Sequence, residues 1–195
     1  MIAEISATAT EATTSNTAYV LDYVFQLKAT NTDTTSKDLY IKELKLTSPT
    51  SNDAYKAFRV ATFIEASSTN ANSTAVTEGT TGSFKAKTTG NVKAIYAPTG
   101  YAYQTSGQAI NSADGTKASV SSLVTSATSL TSVAPTSNLA KYYKVWVRLW
   151  LEGEDKSCTA TLFENDGTWS LAVTVDMGTA TDGASNISNV SSSAA

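Results

Sequence analysis

The chain has 195 residues, enough for one domain of ordinary size or two very small ones. It contains no His, one Cys and three Pro, while 32 Thr, 25 Ser and 28 Ala far outnumber the charged residues, and the net charge is −3. These facts exclude Ser-His-Asp and Cys-His catalysis, His-ligated zinc or haem, an intrachain disulfide and a basic surface for nucleic acid.

Met1-Ile2-Ala3-Glu4 lacks the basic and apolar regions of a signal peptide. Either the chain never carried one, or its numbering starts after removal. Within residues 1–18, Ala3, Ile5, Ala7 and Ala9 alternate with Ile2, Glu4, Ser6 and Thr8. Such a small-residue strand can add to the open edge of a neighbouring subunit, pair within its own domain, or fray as a free terminus. Its inserting contacts would be Ile2, Ala3, Ile5, Ala7 and Ala9.

From Tyr19 to Lys28 the apolar period is 2: Tyr19, Leu21, Tyr23, Phe25 and Leu27 share one face, which predicts a half-buried strand. In Leu39 to Leu46, Leu39 and Ile41 are out of phase with Leu44 and Leu46, and a bulge near Glu43 would bring them to one face. Lys56 to Ile64 places Phe58, Val60, Thr62 and Ile64 together, and Asn91 to Tyr96 is a shorter strand. The Thr/Ser/Ala-rich stretches 66–83, 104–139 and 178–195 read as connections, the second a surface excursion with one or two short strands. A helix over Ser119 to Leu130 is disfavoured by its Ser/Thr density.

The strongest pattern lies in Tyr142 to Glu152. Tyr143, Val145, Val147, Leu149 and Leu151 form one apolar face, and Tyr142, Lys144, Trp146, Arg148, Trp150 and Glu152 form the other. Such a strand belongs in the centre of a sheet, with Lys and Arg stems lying over the indoles. Residues 157–164 and 168–177 flank Asn165-Asp166-Gly167 and read as a β-hairpin. Strands without intervening amphipathic helices predict an all-β, antiparallel, jelly-roll-like sandwich with long Ser/Thr-rich loops. The domain is expected over 19–178, preceded by the 1–18 extension and followed by a Ser/Ala-rich segment, 179–195.

The segment from Tyr142 to Cys158, YYKVWVRLWLEGEDKSC, ends its strand in WLEGED and is followed by a turn and a closing strand, Trp169 to Met177. In this it resembles the secreted TasA/camelysin-like proteins of Gram-positive bacteria, a likeness covering about half the chain. The resemblance implies a secreted jelly-roll subunit that polymerises with itself into extracellular, biofilm-matrix fibres, each N-terminal segment inserting as a strand into the next subunit. Camelysin-like relatives are described as metallopeptidases, but zinc hydrolysis ordinarily needs His ligands, which this chain lacks.

Glu152, Glu154 and Asp155 cluster beside Gly153, with Glu164 and Asp166 near the next turn; they fit either a hard cation such as Ca²⁺ or a solvated acidic turn. As a carboxylate pair for glycoside hydrolysis they are poorly supported, because no cleft is indicated. Cys158 could serve an intersubunit disulfide or as a reactive thiol, but with no His or adjacent base it reads as a buried, inert thiol. Trp146 and Trp150 fit core packing or a glycan-stacking platform, and Tyr96, Tyr101 and Tyr103 form an aromatic loop. Lys28, Lys42 and Lys144 are candidates for an isopeptide bond without an identifiable partner. The sequons at Asn72, Asn186 and Asn189 are expected by chance at this Ser/Thr content. No cofactor, nucleic acid or membrane span is expected. The leading expectation is a non-enzymatic filament subunit; a virion surface or decoration protein and a carbohydrate-binding module are the alternatives.

Overall fold

The computed structural model describes residues 6–11, 20–49, 53–66, 92–101, 108–110, 117–119, 123–135, 140–153, 155–158 and 169–191. The described residues form eleven strands: β1 (Ser6–Glu11), β2 (Val20–Ala29), β3 (Lys37–Ser48), β4 (Phe58–Ala66), β5 (Val92–Tyr96), β6 (Gln108–Ile110), β7 (Lys117–Ser119), β8 (Ser129–Val133), β9 (Lys141–Leu151), β10 (Ser170–Gly178) and β11 (Ser188–Ser191). A 3-10 turn over Asp53–Ala57 leads into β4, and a second covers Ala180–Asp182. Among the described residues no helix is long and apolar enough to cross a membrane.

The first sheet has the order β1-β2-β9-β4-β5, antiparallel throughout, so β9 sits in its centre. That is the position its two covered faces required. In the second sheet β3 is central. β10 pairs with one side of it, while β8 and β11 share the other, β8 opposite Lys37–Tyr40 and β11 opposite Lys45–Ser48. Between these two short strands, Ala184 N–H donates to the Ile41 carbonyl at 2.8 Å, and Ser188 Oγ donates to the Leu44 carbonyl at 3.0 Å. β6 and β7 form a separate two-stranded ladder.

One apolar core joins the two sheets. Phe25 and Leu27 of β2, Val60 of β4, Tyr96 of β5 and Val145 and Val147 of β9 meet Leu39, Ile41, Leu44 and Leu46 of β3. Fully burying one such aliphatic side chain stabilises the fold by about 1.5–3 kcal/mol. The bulge expected near Glu43 is there: Thr174 lies opposite Glu43 and Val175 opposite Ile41, leaving Lys42 as the extra residue. Lys42 and Glu43 are exposed, while Ile41 and Leu44 on either side are buried. This one-residue insertion thus brings both halves of β3 onto one face.

Three features differ from the sequence reading. β11 runs parallel to β3, within a fold that is otherwise largely antiparallel. The 104–139 tract is more than a surface excursion, because Leu123, Leu130 and Val133 are buried. Residues past 178 also join the fold, with Ile187 buried in the main core. Each of these apolar residues stands nearly alone among Ser, Thr and Asn, so no periodicity announces it. Of the expected hairpin, residues 159–164 of the first strand and the turn at 165–167 lie outside the described residues; β10 pairs with β3 on one side.

One lateral margin of the sandwich is tied together. Leu123 bridges Ile95, Val124 N–H donates to the Ile95 carbonyl at 2.8 Å, Pro98 bridges Ile187, and Ile187 N–H donates to the Ala97 carbonyl at 3.0 Å.

Candidate functional site

The outer face of the first sheet is itself buried where β4, β5 and β9 meet. Register sets Arg59 opposite Trp150, Ala61 opposite Arg148 and Phe63 opposite Trp146 across β4 and β9. Ala61, Phe63, Trp146 and Trp150 join Ile95, Ala97 and Leu123 in a second apolar cluster, with Tyr101 against its edge. Both indoles are only 5% exposed, so neither ring offers a face on which a sugar could stack. The Lys144 ammonium lies 4.8 Å from the Trp146 ring centre, the stem-over-indole arrangement expected of this strand. Trp150 Nε1 is buried without a hydrogen-bond partner.

Arg59 is the residue that sequence reading passed over. It is fully buried, and its Nη2 donates to Asp155 Oδ2 at 2.6 Å. Its Nη1 donates to the Lys56 and Phe58 carbonyls at 2.7 Å each, and its guanidinium lies 5.1 Å from the Tyr101 ring centre. The available signal was one Arg inside an apolar strand, between Phe58 and Val60. Tyr101 is placed by a turn in which its N–H donates to the Pro98 carbonyl at 3.3 Å. Gly100 there has φ +82°, the left-handed value such a turn needs at its third residue.

Two carboxylates of the acidic turn after β9 are buried rather than solvated. Glu152 and Asp155 are both 0% exposed. Glu152 N–H donates to the Ala57 carbonyl, Asp155 N–H to the Glu152 carbonyl and Cys158 N–H to the Asp155 carbonyl, at 2.8, 3.1 and 2.9 Å. Asp155 Oδ1 accepts from Ser157 N–H at 2.9 Å, so both oxygens of this carboxylate are engaged. Among the described residues no group of three or more metal-ligating side chains comes together. The cation reading of Glu152, Glu154 and Asp155 therefore gains no geometry; Glu154, Glu164 and Asp166 lie outside the described residues. Cys158 is a free, half-buried thiol at the rim of the main core. Burial first, then the Asp155 and Glu152 carboxylates, push its pKa up, the opposite of what an activated nucleophile needs.

The remaining candidates are scattered. Tyr96 is buried in the main core, and desolvation pushes its pKa up to about 12; Tyr103 lies outside the described residues. Lys42 Nζ pairs with Asp176 Oδ2 at 2.8 Å on the outer face of the second sheet, and Lys28 is exposed. Asn186 is exposed just before β11, Asn189 lies within β11, and Asn72 is outside the described residues.

The N-terminal segment supplies β1, the outermost strand of the first sheet. It pairs antiparallel with β2, with Ala7 opposite Phe25 and Ala9 opposite Tyr23. Ile2, Ala3 and Ile5 lie outside the described residues. No protein-family model, no curated protein and no solved structure matches the chain.

Proposed function

We propose that the chain is a structural subunit of an extracellular, matrix-type protein filament, a jelly-roll sandwich polymerised by strand exchange at its N-terminus. The observation that carries this is the position of β1. It lies at the end of the first sheet, its ladder is with β2, and residues 12–19 separate the two. An eight-residue connection reaches up to about 27 Å when extended. The same Ser6–Glu11 register against β2 can therefore be filled by a neighbour's β1 with no new contact type. Exchange of this head-to-tail kind leaves a receiving β2 at one end and a donating β1 at the other, and so propagates. The burial of Trp146 and Trp150 removes the main support for a glycan-binding module. No catalysis and no cofactor are assigned.

The test is negative-stain microscopy and sedimentation of the full chain beside a variant lacking residues 1–12. The full chain is expected to form filaments and the shortened one to stay dispersed. Unchanged filaments from the shortened chain would rule out strand exchange, and a full chain that never assembles would rule out the filament.

A further inference from the structure

The segment after β10 covers one side of β3 in two parts that are held very differently. Up to Ile187 it is anchored on both sheets. Ala184 N–H donates to the Ile41 carbonyl at 2.8 Å, Ile187 N–H donates to the Ala97 carbonyl at 3.0 Å, and the Ile187 side chain is 1% exposed in the main core. Gly183 suits this path, because a Cβ there would stand 2.8 Å from the Ile41 carbonyl oxygen and from Tyr40 Cδ2. The part beyond, β11, has only four residues, SNVS, and runs parallel to β3, the less stable pairing per residue. Register sets Asn189 opposite Leu46, which is 0% exposed, and there Asn189 Oδ1 is buried without a hydrogen-bond partner. Val190, the one apolar residue of the strand, is 43% exposed. β11 thus adds no apolar side chain to the core, and it places an unmet acceptor beside it, which costs free energy. Its ladder and the hydrogen bond from Ser188 Oγ to the Leu44 carbonyl, 3.0 Å, hold it in place.

We propose that β11 is a releasable latch, which detaches from β3 at a hinge between Ile187 and Ser188 while the rest of the sandwich stays folded. Local opening draws on the parts of a structure where few apolar contacts have to be broken, and β11 is such a part. Ile187 remains seated in the core and stops the opening from spreading. Release uncovers the Lys45–Ser48 edge of β3, a run of backbone donors and acceptors beside the buried Leu46. The closed state caps that edge and the open state presents it, and the Asn189 side chain sets the balance between them. The latch lies on the second sheet, so it does not depend on strand exchange at β1 in the first.

The test is amide hydrogen exchange on the full chain. The β11 amides that bond to β3 should exchange at least about tenfold faster than those of Ala184 and Ile187. Low urea should leave their rate unchanged, since the opening exposes little surface. Asn189→Leu removes the unmet acceptor and sets an apolar group against Leu46. It should slow the β11 amides by about tenfold and leave Ala184 and Ile187 as they were. A second variant closes the latch covalently. Val190 is paired with Thr47, and paired residues of neighbouring strands stand about 4.8 Å apart, within disulfide reach. In a chain with Cys158→Ala, Thr47→Cys and Val190→Cys, oxidation should bring the β11 amides to the rate of Ile187, and reduction should restore fast exchange. β11 amides that exchange no faster than Ile187, or that open with it in a single urea-dependent step, would overturn the latch. So would fast exchange that persists under the closed disulfide, or an Asn189→Leu chain that opens as readily as the native one.

Discussion

Replacing Asp155 with Asn removes the carboxylate that ion-pairs with a guanidinium that has no access to water. Arg59 and Asp155 are both fully buried and 2.6 Å apart. Breaking such a pair from one side costs about 3–5 kcal/mol, because the surviving charge is left uncompensated. Two features set the expectation at the lower end, about 3 kcal/mol. Arg59 Nη1 keeps the Lys56 and Phe58 carbonyls, and the Asn amide still offers one oxygen. For a chain of this length that loss lowers the melting temperature by about 6–12 °C. Urea unfolding followed by tryptophan fluorescence should show a lower midpoint at unchanged slope, the mark of lost stability rather than altered compactness. The double variant Arg59→Met, Asp155→Leu removes both charges and should be less damaged than Asp155→Asn alone. A loss below about 1 kcal/mol for Asp155→Asn, the range of an exposed pair, would refute the buried latch. So would a double variant whose loss equals the sum of its two single variants.

Tyr96→Phe should be neutral or stabilise by up to about 1 kcal/mol, since the Tyr96 hydroxyl is buried without a partner and its removal relieves an unmet desolvation penalty; a clear loss in urea unfolding would mean that the hydroxyl is satisfied. Asp176 is held below the usual carboxylate range, first by the hydrogen bond from Lys42, then by the Met177 N–H. A lowered folded pKa means that its stabilising contribution is complete above the unfolded carboxylate value and fades as pH falls through the folded one, with a small amplitude because the pair is exposed. Carboxyl-carbon NMR should show the Asp176 midpoint moving up in Lys42→Met, and an unmoved midpoint would remove Lys42 as the cause.

What could be read from the chain follows from how each residue comes to be buried. β2 is ten residues long and β9 eleven, so their alternation is long enough to recognise, and the run of buried side chains from Tyr143 to Arg148 on both faces of β9 goes with its place at the centre of its sheet. The β3 bulge was legible because a break in phase between Ile41 and Leu44 has only a few physical remedies. β8 and β11 were not legible. Leu130, Val133 and Ile187 are buried in the main core, yet their neighbours in sequence are mostly Ser, Thr and Asn. The Arg59–Asp155 latch could not be foreseen because it spans 96 positions. The acidic turn looked solvated when the cation that neutralises it was written elsewhere. The N-terminal alternation indicated a strand, and β1 is one at Ser6–Glu11, but alternation carries no information about whose sheet it joins.

The division of one side of β3 between β8 and β11 also bears on how the molecule comes together. Its two covering segments are made long after β3 itself, the second only when residues 188–191 have been synthesised. β2 likewise waits for β9, its antiparallel neighbour toward the middle of the sheet. Few contacts of high sequence separation can form early, so folding of such a topology is slow, and half-paired strands persist while the chain emerges. During that interval the unfilled side of β3 is an unpaired edge on an apolar strand, the feature from which misassembly starts. Ile187 and β11 therefore set the moment at which the nascent chain stops being adhesive to its own kind in the wrong places.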